Sequence, residues 1–414
     1  MLRRTFPAVR AALFGCAASL GPTVGASAQA VDSLVARAVA VNPAIHAAAA
    51  RAEAARRRVQ PAGLLPDPML MLGIQNLPLG GEPGMSGPDP MTMRMVGVGQ
   101  TLPYPGKLAA RKRVAARELE AAEAAVAVAT QQVVQDVRSA YYELAFVDRA
   151  LDVVERSRRV LGEFITAAEA RHGVGSAGQE DVLKARLEAT RLAETAVALS
   201  EQRRAVLARL NALLDRPSDT PVSDARVPDR LARAAVAPSA DQIRFVSAAF
   251  GARAADSPLP PLGELQETAV RESPMLREQS AMIAVQQARV DLAGREYLPD
   301  FELSLQYGQR PGRPDMVSAT VSIPLPVYKG RKQDTHAAEA RSQLAALQAD
   351  LRARENEVRA EVARLYSELE RQRAQLALYV KAIIPQGRAS LASAAASYQV
   401  GRVEFLTVLE NQAT

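Results

Sequence analysis

The chain contains a single cysteine among its 414 residues, Cys16. It lies in a leader that has a basic start, a short apolar run and the small-residue site Ala26-Ser27-Ala28. That order is typical of a secretory signal peptide, so we expect residues 1–28 to be removed during export. The mature chain would then have no cysteine, which excludes disulfides and requires any metal site to use other ligands.

Cys16 leaves one alternative for the leader. Leu13-Phe14-Gly15-Cys16 resembles a lipoprotein cleavage site, after which the cysteine would carry acyl chains. Phe14 is bulky at a position where a small residue is expected, and the apolar stretch between Arg10 and Cys16 is shorter than the usual ~7–15 residues. Cleavage near Ala28 is therefore the favoured interpretation.

Several other features are missing from the sequence. After the leader, no run of ~18 uncharged apolar residues occurs, so we expect no transmembrane helix in the mature chain. Half of the +6 net charge comes from the three arginines of the leader, and the remaining charges are interspersed. A nucleic-acid-binding protein should present a basic face with aromatic residues, so nucleic acid is not an expected partner.

Catalytic and metal-binding patterns are absent from the sequence as well. No nucleophile–base pair, phosphate-binding loop or carboxylate dyad occurs in a supporting context. The three histidines lie far apart, without the spacing of metal ligands. We therefore predict that the protein is not an enzyme, has no metal site built from histidine and needs no cofactor.

The sequence does contain an internal duplication. Six landmarks recur in the same order, at separations of 223 to 233 residues. They include Leu65-Pro66-Asp67 with Leu298-Pro299-Asp300, Leu102-Pro103 with Leu325-Pro326, Gly106-Lys107 with Lys329-Gly330-Arg331, and Val174-Gly175 with Val400-Gly401. Because ordered landmarks at nearly constant spacing indicate a repeat, we predict two repeats, 29–214 and 263–414, joined by a proline-rich connection, 215–262.

Each repeat contains a long heptad pattern, with apolar residues recurring at intervals of three, four and seven. The pattern predicts helices at about 108–171 and 178–214 in the first repeat. In the second repeat it predicts one helix at about 332–398, kinked locally by Pro385. Helices of some 60 residues are about 90 Å long. No globular domain of this size has room for them, so we expect an extended coiled-coil structure.

Short segments of alternating polarity predict strands. They lie at about 68–77 and 91–102 in the first repeat and at about 300–308 and 316–324 in the second. Four strands cannot bury a sheet alone, but several chains can contribute them to one closed barrel. The predicted fold is therefore mostly α with a small β part, and combines antiparallel coiled-coil helices with four strands of a shared barrel.

Six of the ten methionines lie in and around the first pair of strands. They are Met69, Met71, Met85, Met91, Met93 and Met95. Thioethers suit Cu(I), so a metal relay near the exit is one interpretation. The favoured interpretation is that these side chains cover a lipid-facing or lumenal barrel surface.

This plan resembles the TolC family of outer-membrane efflux channels. The resemblance rests on the leader, on the duplicated order of strand, strand, long helix and returning helix, and on the segments Val174-Gly175-Ser176 and Tyr398-Gln399-Val400-Gly401-Arg402. Three further segments are most similar to the heavy-metal efflux branch, the CzcC and CusC type. They are Leu65-Pro66-Asp67-Pro68, Asn76-Leu77-Pro78 and Tyr104-Pro105-Gly106-Lys107.

The resemblance implies a homotrimer whose strands close one barrel in outer-membrane lipid and whose helices form a periplasmic tunnel. Such a channel is a passive exit duct, in this branch for heavy-metal cations. Its substrates come from an inner-membrane RND-type pump through a periplasmic adaptor protein. The resemblance places the adaptor-docking residues at the two helix reversals. They are Val174, Gly175, Ser176, Val400, Gly401 and Arg402.

The resemblance also implies a gate near the second reversal. Tyr398 occupies the position of a tyrosine that holds the tunnel closed, and Asp181 that of its carboxylate partner, so we expect a hydrogen bond between them. The constriction falls on Thr407 and Glu410. Because Thr407 is not acidic, we expect a single carboxylate ring, from Glu410.

Two further expectations complete the sequence analysis. A periplasmic coiled-coil adaptor of the same pumps is the alternative function, although the duplicated hairpin and the two strand pairs favour the channel. By the offset between the repeats, the helix after Gly401 should extend about 26 residues beyond Thr414. We therefore expect the 414 residues to be part of a longer gene product.

Overall fold

The computed structural model describes residues 26–77, 91–175, 178–222, 259–310 and 312–413. Several features discussed above lie outside these ranges. They are most of the leader with Cys16, the loop that contains Met85, Ser176, and the larger part of the connection 215–262. Within the described ranges, the predicted mostly helical fold with a small sheet is confirmed.

The first half begins with two short helices and ends with two long ones. Its elements are α1 (Ala26–Val41), α2 (Pro43–Val59), β1 (Met69–Gln75), β2 (Met93–Leu102), α3 (Lys107–Gly173) and α4 (Gln179–Leu213), with a 3-10 turn at Pro61–Gly63. Asn42 caps α2 by accepting a hydrogen bond from the Ala44 N–H at 2.9 Å, and its own amide donates to the Leu213 carbonyl at 3.0 Å. The cap therefore also attaches α2 to the end of α4.

No single helix in the described ranges is long and apolar enough to cross a membrane. One bent pair, Val31–Val41 with Pro43–Gly63, passes the same test of length and composition, with a bend of 43°.

The second half repeats this order. Its elements are α5 (Leu262–Glu272), α6 (Pro274–Arg295), β3 (Phe301–Gln309), β4 (Met316–Ser322), α7 (Gln333–Leu378), a π-helical turn (Tyr379–Ile383), α8 (Ile384–Gln399) and α9 (Phe405–Ala413). Ser273 caps α6 before Pro274, as Asn42 caps α2 before Pro43. The duplication seen in the sequence is therefore a duplication of structure.

The longest element is α3, whose 67 residues span about 100 Å at ~1.5 Å per residue. It packs against α2, α4 and α6 along its length. The main core lies where α1, α3 and α4 meet, and Val137, Leu144 and Leu210 are fully buried there. Val137 and Leu144 are seven residues apart and both buried, so the predicted apolar seam of the first repeat is confirmed. The corresponding seam of the second repeat is exposed, since Leu365 and Leu376 remain 49% and 45% accessible.

The helix predicted over 332–398 is continuous from Gln333 to Gln399, with a π-helical turn between α7 and α8. Pro385 has no N–H, and its ring excludes the usual contact with the carbonyl of Lys381, four residues earlier. The wider turn relieves this conflict, and the Ile384 N–H bonds to the Tyr379 carbonyl instead. The predicted local kink therefore takes the form of a π turn.

The four strands form one antiparallel sheet in the order β1-β2-β3-β4. Val98 lies opposite both Leu70 and Leu305, and Leu305 lies opposite Ala319, so these residues share one face. That face carries exposed apolar side chains on every strand. They are Leu70, Leu72, Ile74, Val96, Val98, Leu303, Leu305, Tyr307, Val317 and Val321. The other face carries Ser304, Gln306, Ser318 and Thr320. One apolar and one polar face is the pattern of a barrel wall.

The methionines of the first hairpin lie on the polar face of this sheet. The register places Met71 beside Gly97 and Gln306, and Met95 beside Gly308 and Met316. Met69 and Met93 alternate onto the same face. These four methionines therefore share the polar face of the sheet and not the apolar one.

An ion pair between the buried Lys107 and the half-buried Asp300 joins the two halves where the sheet passes into the helices. The Lys107 ammonium donates to Asp300 Oδ1 at 2.7 Å and to the Leu298 carbonyl at 2.6 Å, and the same carboxylate oxygen accepts from the Tyr104 N–H at 2.9 Å. Gly106 precedes Lys107 with a φ of 90°, and the Arg295 guanidinium occupies the space of a Cβ there. Burial raises the pKa of Asp300, but the bonds from Lys107 and Tyr104 outweigh it and hold that pKa below its ordinary value.

We predict that Asp300→Ala costs about 3–5 kcal/mol of unfolding free energy, because it leaves the Lys107 ammonium buried without a counter-charge. Replacing both partners, by Lys107→Met with Asp300→Leu, should cost much less. Since the pKa of Asp300 is lowered in the folded protein, its contribution to the free energy of unfolding should be complete above pH ~4. That contribution should decline as the pH falls through the lowered pKa.

Urea unfolding followed by circular dichroism measures both effects. The control is Glu120→Ala, which breaks an exposed pair with Arg117 and should cost under ~1 kcal/mol. Equal losses for Asp300→Ala and this control would contradict the prediction.

Candidate functional site at the helix tips

The candidate site is formed by the two reversals at the far end of the long helices. We call the turn between α3 and α4 the first tip and the turn between α8 and α9 the second tip. Gly175 and Gly401 each have a φ of 74°, which favours glycine. The Gly175 N–H bonds to the His172 carbonyl at 2.9 Å, and the Gly401 N–H to the Tyr398 carbonyl at 3.0 Å. The two tips therefore reverse the chain in the same way.

The two tips share one small apolar core. Seven buried side chains from four helices contact each other there, and further half-buried apolar residues pack around them. The buried residues are Ala168, Val182, Ala185, Ala394, Tyr398, Phe405 and Val408. The duplicated hairpins therefore lie side by side at this end of the molecule.

Tyr398 is the centre of this core and is only 5% exposed. The Arg171 guanidinium lies 4.5 Å from the centroid of its ring, and Arg171 Nη1 also donates to the Tyr398 carbonyl. Phe405 packs against the ring at a centroid distance of 5.3 Å. Because the cation covers an aromatic face that is largely removed from water, the contact should be stronger than an exposed cation–π pair. Arg171 of the first tip thus holds the last turn of α8 in the second.

The hydrogen bond expected between Tyr398 and Asp181 is not formed. The buried phenolic oxygen has no hydrogen-bond partner within the described ranges. Asp181 is nevertheless close. Burial mainly raises the pKa of Tyr398, the Arg171 charge opposes this, and the Asp181 carboxylate adds to the rise. Both residues lie at the tips, where the ring and carbonyl of Tyr398 contact Arg171.

The residues predicted to dock an adaptor are at the surface. Val174 and Val400 are 79% and 68% exposed, and Gly175, Gly401 and Arg402 are exposed as well. Ser176 lies outside the described residues. Two exposed valines at equivalent positions form a small apolar end surface on the paired hairpins.

Thr407 and Glu410 lie on α9 and outside the tip core. Thr407 is half-buried, and its carbonyl accepts a hydrogen bond from Asn411 Nδ2 at 2.7 Å. Glu410 is exposed, on the side of α9 away from the buried Phe405 and Val408. Thr407 and Glu410 therefore do not contribute to the buried core around Tyr398.

Sequence analysis missed two residues of the site, Arg171 and Phe405. Arg171 lies in the last turn of α3, where a cation interacts favourably with the helix end. Phe405 is the first residue of α9 and is fully buried. A basic residue just before one tip and an aromatic residue just after the other were the signals available.

Comparison with known proteins identifies the architecture. The family model described as outer membrane efflux protein matches residues 34–216 and 265–414. The outer membrane protein VceC from Vibrio cholerae superposes with a TM-score of 0.70 at 18% identity, over 93% of this chain and 89% of that one. CusC gives 0.72 at 16%, over 93% and 86%. The Campylobacter jejuni CmeC outer membrane channel gives 0.67 at 14%, over 93% and 80%. No curated protein sequence matches the chain. At these identities the structural matches show a shared fold.

The geometry of the tips predicts which groups stabilise them. Tyr398→Phe should leave the unfolding free energy unchanged or raise it slightly, because the lost hydroxyl is buried without a partner. Arg171→Ala should lower it by about 1–3 kcal/mol, since the cation–π contact and a charged hydrogen bond are both lost. Urea unfolding of the two variants measures this. Arg186→Ala is the control, because it breaks only an exposed pair with Glu169. If Tyr398→Phe lowered the free energy of unfolding as much as Arg171→Ala does, a hydrogen bond of the Tyr398 hydroxyl would be favoured instead.

Proposed function

The chain belongs to the outer membrane efflux protein family, and from that premise we propose that it is the passive exit duct of a tripartite efflux pump. In this proposal residues 1–28 direct export, the sheet lies in the outer membrane and the long helices extend into the periplasm. The observation that carries the proposal is a sheet with one exposed apolar face, joined directly to a helix of 67 residues. An exposed apolar sheet face suits contact with lipid, which a periplasmic adaptor does not require of a sheet. The channel is therefore favoured over that alternative.

A homotrimer is the proposed assembly. β1 and β4 are edge strands in one copy, and closing a barrel requires their edges to be paired. Two copies would supply about eight strands, a number at which side chains fill the interior. Three copies are therefore the smallest closed ring that leaves room for an aqueous passage.

We predict that the full-length gene product forms heat-modifiable trimers in outer-membrane extracts and conducts ions in planar bilayers without an energy source. The polar face would line the pore, so charge added there should alter ion selectivity. Ser304→Lys tests this, and Ser200→Lys on α4 provides a control outside the sheet. A monomer without conductance that fractionates with the periplasm would support the adaptor alternative. Uphill substrate movement by the trimer alone in sealed vesicles would contradict a passive duct.

The tips are proposed to dock a periplasmic adaptor that links the channel to an inner-membrane RND-type pump. The support is the pair of exposed valines, Val174 and Val400, at the end of a well-packed tip core. Apolar patches that stay exposed on a folded protein mark sites of contact with other proteins.

We expect Val174→Glu with Val400→Glu to abolish cross-linking to the adaptor and to lose efflux, while trimers persist, because neither side chain belongs to the tip core. Val197→Glu is the matched control. Val197 is 62% exposed, but on the middle of α4. Co-purification of the adaptor with each variant measures the effect. Normal adaptor recovery with the double variant would exclude the tips as the docking surface.

The gate is proposed to lie at the same end. Tyr398 and Asp181 are next to the Arg171 contact that holds the tips together, and Glu410, four residues from the end of the known sequence, is exposed one turn after Thr407. Three copies would place three Glu410 carboxylates around the axis, with Thr407 beside them. Opening would then require the contact between Arg171 and Tyr398 to break.

Heavy-metal cations are the proposed substrates. The support is the placement of Met69, Met71, Met93 and Met95, together with Met316, on the polar face, which would line the pore in this proposal. A thioether is an uncommon choice for a water-filled wall and is a ligand for soft metals such as Cu(I). The Gln306 amide nitrogen lies 3.9 Å from the sulfur of Met71, and the sulfur of Met93 lies over Gly308.

A combined Met71→Leu, Met93→Leu and Met95→Leu variant should lower cellular tolerance to Cu(I) and Ag(I) and leave trimers intact, because leucine preserves volume and removes the sulfur. Met282→Leu, on α6, is the control. Growth in graded metal concentrations measures the effect. Unchanged tolerance to Cu(I) and Ag(I) at normal trimer levels would contradict the substrate proposal and leave the channel proposal standing.

A further inference from the structure

The outer edges of β1 and β4 are unpaired in the sheet. The internal repeat relates these two edges to the edges of β3 and β2 that pair with each other. β2 is the second strand of the first repeat and β3 is the first strand of the second, and these two strands join the halves. The same kind of pairing at the free edge of β4 requires another first strand, which only the β1 edge of a second copy provides. Head-to-tail contacts of this kind form a ring when the rotation between neighbouring copies closes.

The internal joint has a defined set of polar contacts at its base. Lys107, which follows Gly106 after β2, donates to Asp300, which precedes β3. The Tyr104 N–H donates to the same carboxylate, and the Tyr104 ring stacks on Phe301 with centroids 6.4 Å apart. A basic residue after one strand thus meets a carboxylate before the next.

The free edges carry the same groups without partners. Asp67 precedes β1 as Asp300 precedes β3, and Arg331 follows Gly330 after β4 as Lys107 follows Gly106 after β2. Both side chains are exposed, and neither makes a hydrogen bond or an ion pair with any residue in the described ranges. Lys329 is a poorer candidate than Arg331, because its ammonium already lies 5.0 Å from the Tyr297 ring centroid.

The apolar part of the joint is also exposed at the β4 edge. Tyr104 is half-buried against Phe301 in the internal joint, whereas the equivalent segment after β4 is largely open. Its apolar residues Leu325, Val327 and Tyr328 are 77%, 79% and 73% exposed. Such a segment fits a surface that becomes covered on assembly.

We propose that the Arg331 guanidinium of one copy pairs with the Asp67 carboxylate of the next, and that the segment from Leu325 to Tyr328 packs on the start of the neighbouring β1. This pair is the intersubunit counterpart of Lys107 with Asp300. It rests on the proposed ring of three copies and names the contact that joins them. An arginine suits this position because its planar fork can bind a carboxylate through two parallel bonds across an interface.

Charge reversal in the full-length trimer tests the pair. Asp67→Arg alone and Arg331→Asp alone should each lower the temperature at which trimers dissociate on semi-native gels, because each places like charges opposite one another. The combined variant should return that temperature towards the wild-type value, since it restores an opposite pair. Asp350→Arg is the control, as Asp350 is exposed on α7.

A second measurement guards against loss of folding in the single variants. Residues 29–414 contain no cysteine, so Asp67→Cys with Arg331→Cys can be joined by a short bis-maleimide to give covalent dimers and trimers, and neither single cysteine variant should do so. Trimers that form normally but show neither rescue nor cross-linking would overturn the pair and leave the channel proposal standing. A wild-type protein without trimers or conductance would overturn the channel proposal itself.

Discussion

The buried ammonium of Lys107 is the contact on which the arrangement of the two halves depends. A charged group removed from water must be paired and hydrogen-bonded, and Lys107 is satisfied only if Asp300 and the Leu298 carbonyl stand beside it. Those partners come from the other repeat. The bond therefore sets β2 beside β3 and fixes where α3 starts relative to the sheet. Because α3 extends about 100 Å from that point, a small change of angle at its base would become a large displacement at the tips.

The tips show how a duplicated chain becomes asymmetric. Both reversals use glycine at the same φ, yet the side chains around them differ. The first tip supplies the cation, Arg171, and the second supplies the aromatic residues, Tyr398 and Phe405. Two equivalent turns therefore associate through unlike groups. This arrangement holds the hairpins together without a hydrogen bond from the tyrosine hydroxyl.

The sheet has to satisfy two environments at once. Its apolar face is exposed on all four strands, and its polar face carries serine, threonine and glutamine together with methionine. The period of two along each strand explains the separation, because successive side chains point to opposite faces. Met71 and Met95 share the polar face because the register between β1 and β2 places them there, and the glycines opposite them leave room for the long thioether side chains.

Much of the fold could be predicted from the sequence alone. Heptad and alternating patterns are local, so they identified the long helices and the four strands. Short segments that recur at nearly constant spacing identified the duplication, and the glycines among them identified both tips. The contacts within the site could not be predicted, because they join residues far apart in the chain. Arg171 meets Tyr398 across 227 positions, and Lys107 meets Asp300 across 193. The π turn before Pro385 and the face on which the methionines lie likewise depended on how neighbouring turns and strands pair. Periodicity thus determined which elements form, whereas tertiary packing decided which side chains meet, since only the folded chain sets the register between distant segments.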